Sequence, residues 1–133
     1  MFTPNAAWYF DGYNVLHAVL LGRERDVAWW HRDFQQQVVT WAETLASQSP
    51  IDGAPVTVVF DAQRPLADSE TVTSAVLSVV YAPSADEWIV ETCRRNVGAR
   101  VVSADRSLTD RAKAAGAEIF KPWAFEARPT SIS

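Results

Sequence analysis

The sequence is poor in the side chains that form disulfides and zinc sites. It contains one cysteine, Cys93, and two histidines, His17 and His31, in 133 residues. A single cysteine excludes an internal disulfide, which fits a reducing compartment. The histidines lie far apart in the sequence, and no cysteine pair accompanies them, so a zinc site is not indicated. We expect Cys93 to be a small buried core residue.

Long apolar runs are also missing. No stretch of about eighteen apolar residues occurs, which argues against a transmembrane helix. Residues 1–13 lack the basic start and long apolar core of a secretory signal. We therefore expect a cytoplasmic protein with no membrane partner. The oligomeric state stays open.

Positive charge is scarce, because 12 Lys and Arg residues face 16 Asp and Glu residues, for a net charge of −4. Proteins that hold nucleic acid by bulk electrostatics are usually basic. If this chain acts on RNA, local arginines must attract it or a partner must deliver it. Arg106 and Arg111 are the candidate phosphate-binding residues, although ordinary ion pairs on a solvated helix face are the more common use of such arginines.

Several catalytic motifs are absent as well. The chain has neither a glycine-rich dinucleotide fingerprint nor a phosphate loop. Ser84 and Ser103 have no evident histidine partner, so acyl transfer is not indicated. An aspartyl-phosphate enzyme that used Asp11 would be expected to have a second aspartate two positions later, where this chain has Tyr13.

The sequence does contain enough apolar residues, 48%, for one well-packed domain. Apolar runs predict strands at residues 7–10, 56–60, 75–81, 100–103 and 118–120. Apolar spacing predicts helices at residues 14–21 and 28–46, with polar loops at 22–26 and 63–73. Capping patterns, Ser84 with Glu87 and Ser107 with Asp110, predict helices at residues 84–96 and 107–115. This alternation predicts a three-layer α/β fold, with a central, mostly parallel sheet flanked by helices. We expect one domain over residues 1–126 and a flexible tail over 127–133.

The helix at 28–46 carries a stripe of large apolar residues at spacings of three and four. Such a stripe can stack on bases, but core packing is the more common use of this pattern. The members of the stripe are Trp30, Phe34, Val38, Trp41 and Leu45.

Four aspartates follow successive predicted strands. Asp11, Asp61 and Asp105 come at or just after strand ends, and Asp86 lies in the first turn of the helix after the third strand. Aspartate is common in turns and at helix starts, which explains any one of them. Ligands of open parallel sheets bind at the carboxyl ends of the strands, so we expect these four carboxylates to converge. Asn14, three residues after Asp11, is a candidate to orient a carboxylate or water, or to cap a helix.

Converging carboxylates repel each other and raise one another's pKa values, and a hard divalent cation relieves that repulsion. An all-oxygen ligand set suits Mg²⁺ or Mn²⁺. The expected metal ligands are Asp11, Asp86 and Asp105, with Asp61 and Asp110 as further candidates. Metal ions in such a site can activate water and stabilise displacement at a phosphodiester.

The ordered motifs resemble those of YacP-like NYN domains, which are relatives of PIN domains. The resemblance covers most of the chain, from about Trp8 to Glu126. The motifs are Asp11-Gly12-Tyr13-Asn14, Phe60-Asp61-Ala62, Ala85-Asp86 with Glu91 five residues later, Ser103-Ala104-Asp105 and Gly116-Ala117.

The resemblance implies a PIN-like fold and a Mg²⁺- or Mn²⁺-dependent endoribonuclease that acts on RNA, in some members at the ribosome. It carries catalytic roles to Asp11, Asn14, Asp61, Asp86 and Asp105. Relatives usually have Gly-Glu-Thr before the Ala-Asp pair, where this chain has Ala82-Pro83-Ser84 and one carboxylate fewer. The alternative is therefore a catalytically weak or inactive NYN domain that binds RNA, a ribosome or a protein.

Overall fold

The computed structural model describes residues 7–20, 32–48, 51–61, 70–72 and 77–126. The predicted loop at 22–26, most of the predicted loop at 63–73 and the predicted tail at 127–133 lie outside this part of the chain. So does Trp30 of the predicted apolar stripe.

Six strands of the described chain form one sheet. They are β1 (Trp8–Asp11), β2 (Val56–Asp61), β3 (Glu70–Val72), β4 (Leu77–Ala82), β5 (Arg100–Val102) and β6 (Glu118–Phe120). The spatial order is β3-β4-β2-β1-β5-β6. Five strands run parallel, and β3 pairs antiparallel with β4 at one edge. The predicted parallel sheet is confirmed, but the loop prediction for residues 63–73 was wrong at β3.

In the part of the chain that the structure describes, five α-helices accompany the sheet: α1 (Gly12–Val15), α2 (Arg32–Ala46), α3 (Ala85–Arg95), α4 (Arg106–Ala114) and α5 (Trp123–Glu126). The predicted helix at 14–21 begins earlier, and a π-helical segment, Leu16–Leu20, continues α1. The sequence did not predict α5. No helix in the described residues has both the length and the apolar character needed to cross a membrane.

Alternating strand residues build two cores, one on each face of the sheet. Trp8, Phe10 and Val58 pack on the face that also buries Val38 and Leu45 of α2. The opposite core is lined by α3 and α4 and contains the following residues: Tyr9, Val59, Val80, Ile89, Cys93 and Leu108. The three-layer prediction is confirmed, and Cys93 is a buried core residue as expected.

The described part of the apolar stripe on α2 serves packing. Val38 and Leu45 are buried, and the Trp41 ring lies edge-on to Phe10 with 5.7 Å between ring centroids. These side chains contact the sheet and are therefore not available as a platform for bases. The side chain of Phe34 lies outside the described set.

Helices α3 and α4 both begin at the carboxyl edge of the sheet with side-chain caps. The Ser84 hydroxyl accepts a hydrogen bond from the Glu87 amide at 3.2 Å, as the capping pattern predicted. The predicted cap at Ser107 was wrong. Asp105 takes that position, and its Oδ1 accepts hydrogen bonds from the amides of Ser107 and Leu108 at 2.9 and 3.3 Å. Gly116, with a φ of +100°, follows the end of α4, as expected for a residue in the left-handed region.

The chain order creates a switch point beside β1. From β1 the chain moves to β2 and then β4 on one side, and α3 leads back to β5 on the other side. In open α/β sheets, the crevice at such a point is the usual ligand site. Asp11 ends β1, and Asp105 follows β5, so both lie at this crevice.

Gly12 allows α1 to approach β2 closely. A Cβ atom at this position would lie 2.5 Å from two ring carbons of Phe60 and 2.9 Å from the carbonyl oxygen of Val59. Because Phe60 is fully buried, its ring has little room to move. We expect Gly12→Ala to lower the free energy of unfolding by about 1–3 kcal/mol, as overpacking usually does. Urea denaturation measures this, and an unchanged midpoint would contradict the close approach.

Candidate metal centre

Three carboxylates meet at the switch point. Asp11, Asp86 and Asp105 each offer one oxygen, and these oxygens all lie within 4.8 Å of one another. We call these three residues the acidic cluster. Asp11 is buried, whereas Asp86 and Asp105 are half-buried. A cluster that is closed on the sheet side and accessible on the other can receive an ion and a substrate.

The cluster is assembled from three separate elements. Asp11 lies two residues after Tyr9 on β1, so its side chain points to the face that α3 and α4 cover. Asp86 is in the first turn of α3, and Asp105 caps α4. The parallel register between β1 and β5 brings the start of α4 to the end of β1. The registers of β4 with β2 and of β2 with β1 bring the start of α3 to the same edge.

Burial and repulsion raise the pKa of Asp11 from 3.8 to about 7. Desolvation is the largest cause, followed by the charge of Asp86, and the charges of Asp61 and Asp105 add to the rise. A hydrogen bond from the Ser103 hydroxyl opposes it. About half of the folded molecules therefore hold a proton on Asp11 at pH 7 unless a cation replaces it.

The pKa of Asp86 is also raised, first by desolvation and then by the charges of Asp105 and Asp61. Arg111 lowers it in part. Two members of the acidic cluster thus resist ionisation, because of burial first and the charges of their neighbours second. This is the arrangement in which a divalent cation gains the most from binding.

Ser103 joins two members of the cluster, a role that the sequence did not predict. Its hydroxyl is fully buried, donates to Oδ2 of Asp11 at 3.0 Å and accepts from the amide of Asp105 at 3.0 Å. One hydroxyl therefore fixes both the Asp11 carboxylate and the backbone that carries Asp105. The sequence feature that could have indicated this role is a small polar residue, Ser103, directly after an apolar strand and two positions before an aspartate.

Asn14 lies inside α1 and does not cap a helix. Its Oδ1 accepts a hydrogen bond from the amide of Ala104 at 2.7 Å. Asn14 and Ser103 together hold the turn between β5 and α4 against the end of β1. Asn14 supports the position of Asp105 through that turn.

The structure does not bring Asp61 and Asp110 into the acidic cluster. Both side chains are exposed. Asp61 Oδ1 instead accepts a hydrogen bond from the amide of Ala85 at 2.7 Å. Asp110 lies on α4, more than one turn beyond Asp105.

The two candidate arginines differ in their surroundings. Arg111 contacts both carboxylate oxygens of Glu87, at 3.0 and 2.9 Å, in an ion pair that bridges α3 and α4. Arg106 is exposed in the first turn of α4, directly after Asp105. Arg94 and Arg100 form ordinary ion pairs with Glu91 and Glu118.

Comparison with known proteins agrees with this geometry. The family model described as the YacP-like NYN domain matches residues 9–132. This chain belongs to the YacP-like NYN domain family. No curated protein matches the chain.

Two crystal structures of Rae1 (YacP) from Bacillus subtilis resemble the NYN domain described here. One is of a Trp-to-Leu mutant and has a TM-score of 0.60 at 19% identity, covering 88% of this chain and 70% of that chain. The other also gives a TM-score of 0.60 at 19% identity, with 87% of this chain and 68% of that chain covered. At this identity the likeness establishes the shared fold.

The residues of the acidic cluster fit a hard divalent cation. All three donors are carboxylates, which suit Mg²⁺ and Mn²⁺ better than zinc. Two oxygens on opposite sides of one ion lie about 4.0–4.4 Å apart when each bond is about 2.0–2.2 Å long. The cluster oxygens lie within 4.8 Å of one another, so a small side-chain adjustment lets them share an ion. The family and the donor set together indicate a nuclease-type site.

Proposed function

We propose that this NYN domain is a Mg²⁺- or Mn²⁺-dependent endoribonuclease that hydrolyses RNA phosphodiester bonds at the acidic cluster. The observation that carries this proposal is the meeting of Asp11, Asp86 and Asp105 from three elements within 4.8 Å. Burial first and the neighbouring carboxylates second raise the pKa of Asp11, so its ionised form is unfavourable at this site without a cation.

A bound Mg²⁺ or Mn²⁺ would supply Lewis-acid chemistry, by activating water and neutralising charge on the phosphodiester. The side chains of the acidic cluster would hold it. Ser103 keeps the Asp11 carboxylate oriented, and Asn14 keeps the β5–α4 turn in place. The first contact restricts the rotation of the Asp11 side chain, and the second restrains the backbone turn that precedes Asp105. Such support usually changes activity by about 10–100-fold.

Arg106 is the better candidate for contact with an RNA phosphate. It is exposed beside Asp105, whereas Arg111 is half-buried and paired with Glu87. A forked contact from Arg106 would attract RNA locally in a chain whose net charge is −4. Arg111 would instead maintain the spacing of α3 and α4.

Ribosome-associated RNA in the cytoplasm is the substrate that the family resemblance suggests. Delivery by a large partner would explain how an acidic protein meets an acidic polymer. The alternative is a catalytically weak or inactive domain that binds RNA, a ribosome or a protein. The exposed Pro83, at a position where relatives usually have a carboxylate, favours that alternative.

The proposed activity is tested with a labelled single-stranded RNA and Asp86→Asn. We expect the wild-type protein to cleave internally with millimolar Mn²⁺ or Mg²⁺ and to stop on addition of EDTA. Asp86→Asn should lower the rate by more than about 100-fold, because outer supporting groups alone account for about 10–100-fold.

The control for this experiment is Glu43→Gln, an exposed residue on α2 on the other side of the sheet. It removes one carboxylate without touching the acidic cluster and should leave the rate unchanged. No cleavage by the wild-type protein with either ion would favour the binding module. If Asp86→Asn cleaves RNA as fast as the wild type, the acidic cluster is not the catalytic site.

A further inference from the structure

Asp61 makes a contact that the other three strand-end aspartates do not share. Its Oδ1 accepts a hydrogen bond of 2.7 Å from the amide of Ala85, the first residue of α3. The two residues lie 24 positions apart in sequence. The bond therefore ties the end of β2 to the beginning of another element.

The register of the sheet sets Asp61 apart from Asp11. Asp11 is the partner of Val59 across the β1–β2 pair, so Asp61 lies two residues further along its strand. Two residues of parallel strand correspond to about 6.6 Å. Asp61 shares the facing direction of Val59 and lies past the level of Asp11 along the strand, where it meets the first residue of α3.

Helix α3 needs an anchor at this end. Its own cap, the Ser84 hydroxyl, satisfies the Glu87 amide but belongs to the segment that enters the helix. The Arg111–Glu87 ion pair links α3 to α4, and the Asp61 bond links the helix start to the sheet. Asp61 does so with a charged acceptor at the positive end of the helix dipole, which makes a strong hydrogen bond.

We propose that Asp61 is a positioning residue that fixes the first turn of α3 and so holds Asp86 within reach of Asp11 and Asp105, and that it is not a metal ligand. Ala85 immediately precedes Asp86, so a shift of the helix start moves the Asp86 carboxylate directly. The effect of Asp61 on ion binding rests on the proposed function. The hydrogen bond between Asp61 and the start of α3 is independent of it.

Two substitutions separate the positioning role from ligation. Asp61→Asn removes the charge but keeps an oxygen that can accept from Ala85, whereas Asp61→Ala removes both. In EDTA, we expect Asp61→Ala to lower Tm by about 3 °C, as the loss of a helix cap does in a domain of this size. Asp61→Asn should stay within about 1 °C of the wild type.

Hydrogen exchange of the Ala85 amide reports the same bond directly. We expect this amide to exchange about tenfold faster in Asp61→Ala than in the wild type or Asp61→Asn.

Calorimetric titration with Mn²⁺ then tests whether the loss of this bond weakens ion binding at the acidic cluster. Asp61→Ala should weaken Mn²⁺ binding by about tenfold, the lower end of the effect of outer supporting groups, and Asp61→Asn by about twofold.

Asp86→Asn shows how much Mn²⁺ binding weakens when a ligand is lost. If Asp61→Asn weakens Mn²⁺ binding as much as Asp86→Asn, Asp61 is a ligand and the proposal is overturned. If Asp61→Ala changes neither Tm nor Ala85 exchange, the bond does not position the helix, which also overturns it. If the wild-type protein binds no Mn²⁺, the proposed function is wrong. The Tm and Ala85 exchange measurements in EDTA would still test whether Asp61 positions α3.

Discussion

Asp11→Asn is expected to abolish RNA cleavage and, in metal-free buffer at pH 8, to make the protein more stable than the wild type. Asp11 is 5% exposed, and its pKa is raised from 3.8 to about 7 by desolvation first and then by neighbouring carboxylates. At 1.36 kcal/mol per pKa unit, the buried charge costs about 4 kcal/mol at high pH. Asparagine removes that charge, and its oxygen can still accept from Ser103.

The sign of the pH dependence follows from linkage. The pKa of Asp11 is higher in the folded than in the unfolded state, so the folded state binds more protons between about pH 4 and pH 7. Its contribution to stability is therefore present at low pH and is lost as pH rises to about 7. We expect the gain in Asp11→Asn to be about 2–4 kcal/mol at pH 8 and to vanish near pH 4.

Urea denaturation in EDTA at several pH values measures the gain, and the RNA assay measures the loss of activity. Asp52→Asn is a matched control, because Asp52 is exposed in the turn before β2 and asparagine tolerates its positive φ of 51°. An equal gain in the control would mean that net charge, rather than the acidic cluster, sets stability. Undiminished cleavage by Asp11→Asn would defeat the proposed mechanism.

The second large effect is stabilisation of the wild-type protein by divalent ions at pH 8. Ligand at 100 times its dissociation constant adds about 2.7 kcal/mol, which corresponds to a rise in Tm of roughly 8 °C for a chain of this length. Because the ion competes with the proton on Asp11, the rise should shrink as pH falls below about 7. Differential scanning fluorimetry with Mn²⁺ and Mg²⁺ at pH 8 and pH 5.5 checks both statements.

The same titration with Asp11→Asn shows where the ion binds. We expect the variant to lose most of the rise, because it lacks the buried ligand. A rise equal to that of the wild type would place the ion elsewhere on the protein. No rise with either ion in the wild type would favour the non-catalytic alternative.

The sequence predicted the parallel sheet because buried strands appear as apolar runs, and it predicted the cluster because strand ends in such a sheet share one edge. It could not separate Asp61 from Asp11, Asp86 and Asp105. That distinction depends on β2 extending two residues beyond the partner of Asp11, and strand register is not visible in one sequence.

Two other features were missed for local reasons. β3 is a three-residue edge strand, Glu70–Val72, too short to show an alternating pattern. The cap of α4 lies at Asp105 rather than Ser107, and both residue types are good caps, so the backbone conformation decides. Ser103 carries no pattern of its own, because its importance comes from contacts 92 and 2 residues away in sequence.

Those long separations bear on when the site can form during synthesis. The bonds from Ser103 to Asp11 and from Ala104 to Asn14 span 92 and 90 residues. The motif that contains Asp11 and Asn14 therefore leaves the ribosome well before the residues that it contacts have been synthesised. Contacts this distant in sequence close late and slowly in folding. A nascent chain whose β5 segment has not yet emerged holds Asp11 without Ser103 and Asp105, so the acidic cluster forms only after that segment is free to fold.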